Sequence, residues 1–318
     1  MQHRLNSLIF KTLLGLLPVA GLLSLPSAAV AQDAGASDAL DEITVTARRR
    51  EENLQDVPAA VTAFSGEDLE LRGASDITEI AQQAPSVTLE PSRATNSTLT
   101  AFIRGIGQQD PLAGFEQGVA LYVDDIYIAR PQGALLDIYD VERVEVLRGP
   151  QGTLYGRNAV GGAIKYVTRR LGDEPAFRAK ASLGTYGQRD LVLTGSAPVS
   201  DTFRVGATLA SLNRDGYGDN LTTGEDHYNK DILAYRISAE FEPNEDFLVR
   251  LGYDKTEDDS NPVAGYRVAA APVSGTPITG DVRDTYAGAS QNISTAGING
   301  KQSVESEGIS LSIDWVLN

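Results

Sequence analysis

The chain contains no cysteine. That excludes disulfides, thiolate metal sites and cysteine nucleophiles. Positive charge is scarce as well: 27 Lys and Arg stand against 43 Asp and Glu, a formal net charge of −16, and no basic cluster occurs. A nucleic-acid partner is therefore not expected. Beyond residue 31 no apolar run reaches about 18 residues, so no transmembrane helix is predicted. His227 is the only histidine after residue 31. It falls in a long polar stretch and reads as a solvated loop residue, not a metal ligand. No Ser-His-Asp set or paired carboxylates stand out, so no enzyme activity, metal or cofactor is predicted.

What is present begins with a leader. Arg4 and Lys11 flank the start of an apolar stretch, Leu13 to Leu25, and Ala29-Val30-Ala31 gives a small-x-small cleavage pattern before Gln32. Residues 1–31 therefore read as a signal peptide for Sec export. Gln32 to Leu40 is small and acidic and reads as flexible. Asp41-Glu42-Ile43-Thr44-Val45-Thr46-Ala47 is a short β-prone island, followed by the polar Arg48 to Asn53. Such an island cannot be stable alone. It is either a local tail or a strand that adds to the sheet edge of a partner. In the second case it should be exposed, with flexible chain on both sides.

From Val57 the texture is globular. Val61, Ala63 and Phe64 suggest a strand, and Ser65 caps a short helix with Asp68 as the capping-box acid. Ser75-Asp76 opens a second helix, with Ile77, Ile80, Ala81 and Ala84 on one face and Pro85 as the stop. Strands are predicted over Leu99–Arg104, Val119–Ile128 and Val141–Arg148, with a short helix at Leu135–Tyr139. In the last strand Val144, Val146 and Arg148 share one side, and Arg143, Glu145 and Leu147 the other. This is an α+β pattern, not a βαβ repeat. The Gly-rich turns do not suit a phosphate site: no Gly-Lys-Ser/Thr follows, and Gly105-Ile106-Gly107 lacks a third glycine. Asp124-Asp125 reads as a polar strand end.

After Ala176 the chain becomes a series of long alternating strands, about six, near 176–187, 189–199, 202–214, 228–242, 246–258 and 304–317. Phe203, Val205, Ala207 and Leu209 share one face, as do Tyr235, Ile237, Ala239 and Phe241, and Phe247, Val249, Leu251 and Tyr253. The runs are as long as the roughly 9–11 residues of a membrane-barrel strand, against the five or six typical of a soluble sandwich. Aromatics such as Phe177 and Trp315 sit near the run ends, as an interfacial girdle requires. Pro198–Asp201 and Pro243–Asp246 read as tight turns, and Asp215–Tyr228 and Asp258–Ser303 as long loops. A transmembrane β-barrel is favoured over a sandwich. Six strands would not close a pore, so the barrel is expected to be incomplete at Asn318.

The stretch from Asp41 to Arg170 resembles the TonB-dependent outer-membrane receptors. Asp41–Ala47 looks like a TonB box, and Val57-Pro58-Ala59-Ala60-Val61 like the opening strand of the family's plug. Phe102-Ile103-Arg104-Gly105 is similar to its IRG motif. Val123-Asp124-Asp125-Ile126-Tyr127 resembles its central strand. Val141 to Pro150, then Gly152-Thr153-Leu154-Tyr155-Gly156 and Gly161-Gly162-Ala163-Ile164, form a long and specific block. The resemblance implies a signal peptide (1–31), a flexible segment with the TonB box (32–55), a plug domain (56–170) and the N-terminal part of a barrel of about 22 strands (171–318).

It further implies energy-coupled uptake across the outer membrane, with TonB and the inner-membrane energising complex as partners. A small-molecule chelate, most commonly a ferric siderophore, is the implied substrate. Arg104 and Arg148 would lock plug to barrel by pairing with glutamates on later strands, beyond Asn318. Gly105, Gly149, Gly152, Gly156, Gly161 and Gly162 would supply positive φ and close backbone approach in the plug loops. By itself the chain is not expected to transport. A signalling receptor of the same family, a soluble module of plug plus β-sandwich, and a nonfunctional remnant remain alternatives.

Overall fold

The computed structural model describes residues 43–74, 76–92, 95–109, 115–133, 139–219, 226–261 and 302–317. The leader with Ala29, Ala31 and Gln32, the residues Asp41, Glu42 and Ser75, most of the helix expected at Leu135–Tyr139, and most of the connection after Asp258 lie outside them.

Two short strands, β1 (Thr44–Val45) and β2 (Glu52–Asn53), form an antiparallel pair. β3 (Val61–Ser65) leads into α1 (Gly66–Leu71), where the Ser65 side chain accepts from the Asp68 N–H as a helix cap should. The second expected helix is a 3-10 turn, Ile77–Gln82, capped by Asp76 through the Thr78 N–H. Ile77 and Ile80 are buried as the pattern required. Then come β4 (Val87–Pro91), β5 (Leu99–Ile103), β6 (Ile106–Gln108), β7 (Val119–Val123), β8 (Ile126–Tyr127), β9 (Val141–Arg148), α2 (Gly152–Tyr155) and β10 (Gly162–Thr168).

The alternation through Val119–Ile128 is not one strand. Asp124 and Asp125 have φ of 45° and 68°, and the chain folds back so that Val123 faces Ile126. Positive φ at two central residues is what a two-residue hairpin matched to strand twist requires. β3, β9, β10, β7 and β8 make a mixed five-stranded sheet in that order, with β10 and β7 parallel, and β4, β5 and β6 make a second, antiparallel sheet. One face of the five-stranded sheet, with Phe64, Val144, Val146, Ile164 and Leu121, packs on Leu69, Ile77, Ile80, Val87 and Ile103. The opposite face carries a second core of Ala120, Tyr122, Leu147 and Ala163 under Val45, Ala47, Val57 and Tyr155.

Gly162 is where glycine is obligatory. Its φ is +154°, and a Cβ there would stand 2.2 Å from the Leu147 carbonyl oxygen across the sheet. Gly161 is similarly crowded by the Ile106 carbonyl, and Gly105, Gly149 and Gly156 have positive φ. Gly152 departs from expectation: it has no positive φ and open space around it, so nothing local demands a glycine. Gly162→Ala is expected to cost about 2–4 kcal/mol from backbone strain and overlap. Faster hydrogen exchange along β9 and β10 would report it.

The remaining strands are β11 (Ala176–Leu183), β12 (Arg189–Ser200), β13 (Phe203–Arg214), the ribbon β14 (Gly218–Asp219) with β15 (Asp226–His227), β16 (Lys230–Asn244), β17 (Phe247–Asp258) and β18 (Val304–Trp315). The long six form one antiparallel sheet in chain order, β11-β12-β13-β16-β17-β18, which does not close on itself. Pro198 and Pro243, read as turn residues, lie inside strands at register shifts, and the turns are tighter: Asp201–Thr202 and Glu245–Asp246. Proline lacks the N–H for a regular ladder, so a bulge accommodates it. His227 is also not a solvated loop residue. It is 4% exposed, on the β14–β15 ribbon beside the stacked Tyr217 and Tyr228 rings.

Register sorts the faces. Phe203, Phe241, Val249 and Ile313 form one outward row, and Val205, Ala239, Leu251 and Leu311 another. Ile237, Phe241, Leu251, Ile309 and Trp315 are exposed, whereas Arg204, Thr208, Arg236, Ser238 and Glu240 are buried on the inward face. Apolar outside and polar inside is the inverse of a soluble sheet and the arrangement of a membrane barrel wall. The outward band is bounded at one end by Phe241, Phe247 and Trp315 and at the other by Tyr235 and Tyr253. Beyond Tyr253, Lys255 pairs with Glu257 and Glu305 at 3.0 and 2.6 Å.

Candidate functional site

The segment expected to be exposed and flexible is instead docked. Val45 is 0% and Ala47 2% exposed, both set into the second core. The downstream residues are ordered with it: Leu54 N donates to Ile43 O at 2.9 Å, and Arg49 N to Thr46 O at 2.9 Å. The physical reason is that this face of the five-stranded sheet is apolar too, and Val45, Ala47 and Tyr155 are what cover it.

Thr46 meets a buried charged cluster. Glu145, 0% exposed, lies on β9 directly opposite Lys165, 2% exposed, on β10. Glu145 Oε1 accepts from the Thr46 N–H at 2.8 Å, from Thr46 Oγ1 at 3.1 Å and from Arg143 Nε at 2.7 Å. Lys165 Nζ donates to Thr46 Oγ1 at 2.6 Å and pairs with Asp125 at 2.9 Å. The Tyr155 hydroxyl donates to Ala47 O at 3.0 Å. Burial, reinforced by the nearby negative charges of Glu145 and Asp125, raises the Tyr155 pKa, so this donor stays protonated. The ring also lies under the Arg49 guanidinium, 5.1 Å away.

Arg143, Glu145 and Lys165 were not singled out from the sequence. The available signal was a lone acid between Val144 and Val146, and a lone lysine between Ile164 and Tyr166. Each lies on a strand face shared with a buried apolar neighbour, Leu147 or Ala163.

A second charged seam joins this domain to the six-stranded sheet. Arg250 Nε lies 3.1 Å from Glu240 Oε1, and its Nη2 donates to Thr168 Oγ1 at 3.1 Å and Arg169 O at 2.8 Å. Arg170 approaches Glu240 and Glu242 at 3.6 and 3.7 Å. Thr208 Oγ1 donates to Asp140 at 2.6 Å. Arg104 and Arg148 lie elsewhere, together beside the Pro85–Ser86 turn: Arg104 N donates to Ser86 O and Arg148 Nη1 to Pro85 O. Neither guanidinium has an ion-pair partner among the described residues. The seam therefore runs through residues other than the two motif arginines. No cluster of metal-binding side chains occurs among the described residues.

Residues 53–163 match the family model described as TonB-dependent Receptor Plug Domain. They are a TonB-dependent receptor plug. The iron-regulated outer membrane virulence protein of Vibrio cholerae is 28% identical over 258 residues, covering 75% of this chain and 37% of that protein. The vitamin B12 transporter of Vibrio vulnificus is 30% identical over 132 residues, 40% of this chain and 20% of the transporter. The ferric yersiniabactin uptake receptor of Yersinia pestis superposes with a TM-score of 0.66 at 22% identity, over 82% of this chain and 39% of the receptor. The chain thus spans less than two fifths of the length of these relatives. Plug and lipid-facing strands together place it in the outer membrane of a Gram-negative bacterium.

Proposed function

We propose that this chain gates and couples the active uptake of a ferric chelate, with residues 41–47 as the TonB box. The docked Ile43–Ala47 segment carries this reading. It is a β-prone strand whose only ladder partner among the described residues is the two-residue β2, so its edge can be transferred to another protein's sheet. Besides the burial of Val45 and Ala47 it is held by a few polar contacts, and Glu145 Oε2 makes no hydrogen bond among the described residues. A partly satisfied polar contact is weaker than a full network, which suits a segment that must undock. TonB, energised from the inner membrane, captures the strand and pulls. The iron reading rests on the iron-regulated relative and the ferric yersiniabactin receptor; the vitamin B12 transporter makes a cobalamin the competing substrate. Arg104 and Arg148 serve as a lock to wall residues other than those described.

Disulfide trapping tests the capture. With Thr44→Cys in the full chain and a cysteine on the edge strand of the periplasmic domain of TonB, a cross-link is expected. Adding Val45→Pro should reduce it at least about tenfold, because proline cannot donate to the new ladder. No cross-link at any box position would remove the TonB reading. Binding of cobalamin, but of no ferric chelate, would remove the iron reading.

A further inference from the structure

We infer that the Asp124–Asp125 turn ties the barrel wall to the docked box, so that a change at Arg250 alters how readily residues 43–47 leave the plug. The inference rests on the proposed role of that segment and names its regulation. A turn of this shape is ordinarily built from Asn-Gly, Asp-Gly or Gly-Gly. Here two aspartates occupy it, both at positive φ, which few non-glycine residues adopt. Each points a carboxylate at a different body. Asp124 Oδ1 accepts the Thr168 N–H at 2.8 Å and lies 3.8 Å from Arg250 on the wall. Arg250 is itself fixed by Glu240, Thr168 and the Arg169 carbonyl.

One residue on, Asp125 Oδ1 lies 2.9 Å from Lys165 Nζ and 3.8 Å from Arg49, which follows the box. Lys165 holds the Thr46 hydroxyl. Contacts thus run without a gap from wall to turn to box. Lys165 is nearly fully buried, so its position depends on the few groups that face it, Asp125 and Thr46 first among them. Displacing the turn by its Asp124 end shifts the Asp125 end, and with it the ammonium that holds Thr46. Asp125 acts as a positioning residue for the latch, and Arg250 as its anchor on the wall.

The chain has no cysteine, so Val45→Cys supplies a single thiol at a fully buried box position. Its maleimide labelling rate in the full chain, with no TonB present, reads undocking. Ala84→Cys in the other core reads general loosening of the plug. Asp125→Asn is expected to raise labelling at position 45 roughly 2- to 30-fold, the span of a transmitted coupling. Arg250→Gln should act in the same direction, the pair should do no more than the stronger single change, and labelling at position 84 should not move. An unchanged rate at position 45, an additive double variant, or an equal rise at position 84 would overturn the inference. The labelling pattern as expected, with no cross-link to TonB, would leave this bridge standing and remove the proposed partner instead.

Discussion

Glu145→Ala is expected to lower the stability of the plug by about 3–5 kcal/mol, the cost of breaking a buried ion pair by deleting one partner. Glu145 is fully buried, and its Oε1 receives Arg143 and both the N–H and hydroxyl of Thr46. Removing it takes from Arg143 its fully buried carboxylate, leaving only the half-buried Glu142, and leaves the Thr46 N–H without its acceptor, while Lys165 keeps Asp125. A buried cation with too little compensation is worse than an apolar replacement of the whole cluster. A triple change of Arg143, Glu145 and Lys165 to similar-sized apolar residues should therefore be far milder than the single one. Chemical denaturation of the full chain, followed by hydrogen exchange on β9 and β10, checks both arms. A single variant as stable as the parent would show that this cluster does not hold the second core.

Ile237→Arg is expected to oppose membrane insertion by about 1–2 kcal/mol, the cost of a cation on the lipid face of a barrel between the bilayer midplane and the interface. Ile237 is 56% exposed, midway along β16 between Tyr235 and Phe241, in register with Ala207 and Tyr253. Ser310→Arg, on the inward face of β18 in register with Gly252 and so at nearly the same depth, should cost little. Binding of the chain to lipid vesicles across a urea series separates them. Equal effects at the two positions would mean that the Ile237 face does not meet lipid.

The two charged clusters show where sequence reading reached and where it stopped. Alternation in Val141–Arg148 assigned Arg143, Glu145 and Leu147 to one side of a strand, and the structure keeps them there. It did not reveal that this side is covered. Thr46 meets Glu145 across 99 residues of chain and Lys165 across 119. Periodicity reports which side chains share a face, not what lies on top of it. The same gap explains the flexible reading of residues 32–55, of which the described 43–55 are folded, and the solvated reading of His227: both were inferred from local composition, and distant packing decided the outcome. Pro198 and Pro243 were misplaced for a different reason. Proline is a turn signal locally, but a strand long enough to carry a bulge absorbs it.

Sequence alone determined the elements whose causes lie within a few residues. These are the Ser65 and Asp76 caps, the six long strands and the apolar face of each strand. Period-two alternation and capping chemistry are local, so they survive without knowledge of the fold. Tertiary structure decided that residues 43–47 are docked, that Glu145 and Lys165 grip Thr46, and that Arg250 reaches the Asp124–Asp125 turn. Those depend on which strands become neighbours, and strand pairing is set by long-range burial that no short window of sequence contains.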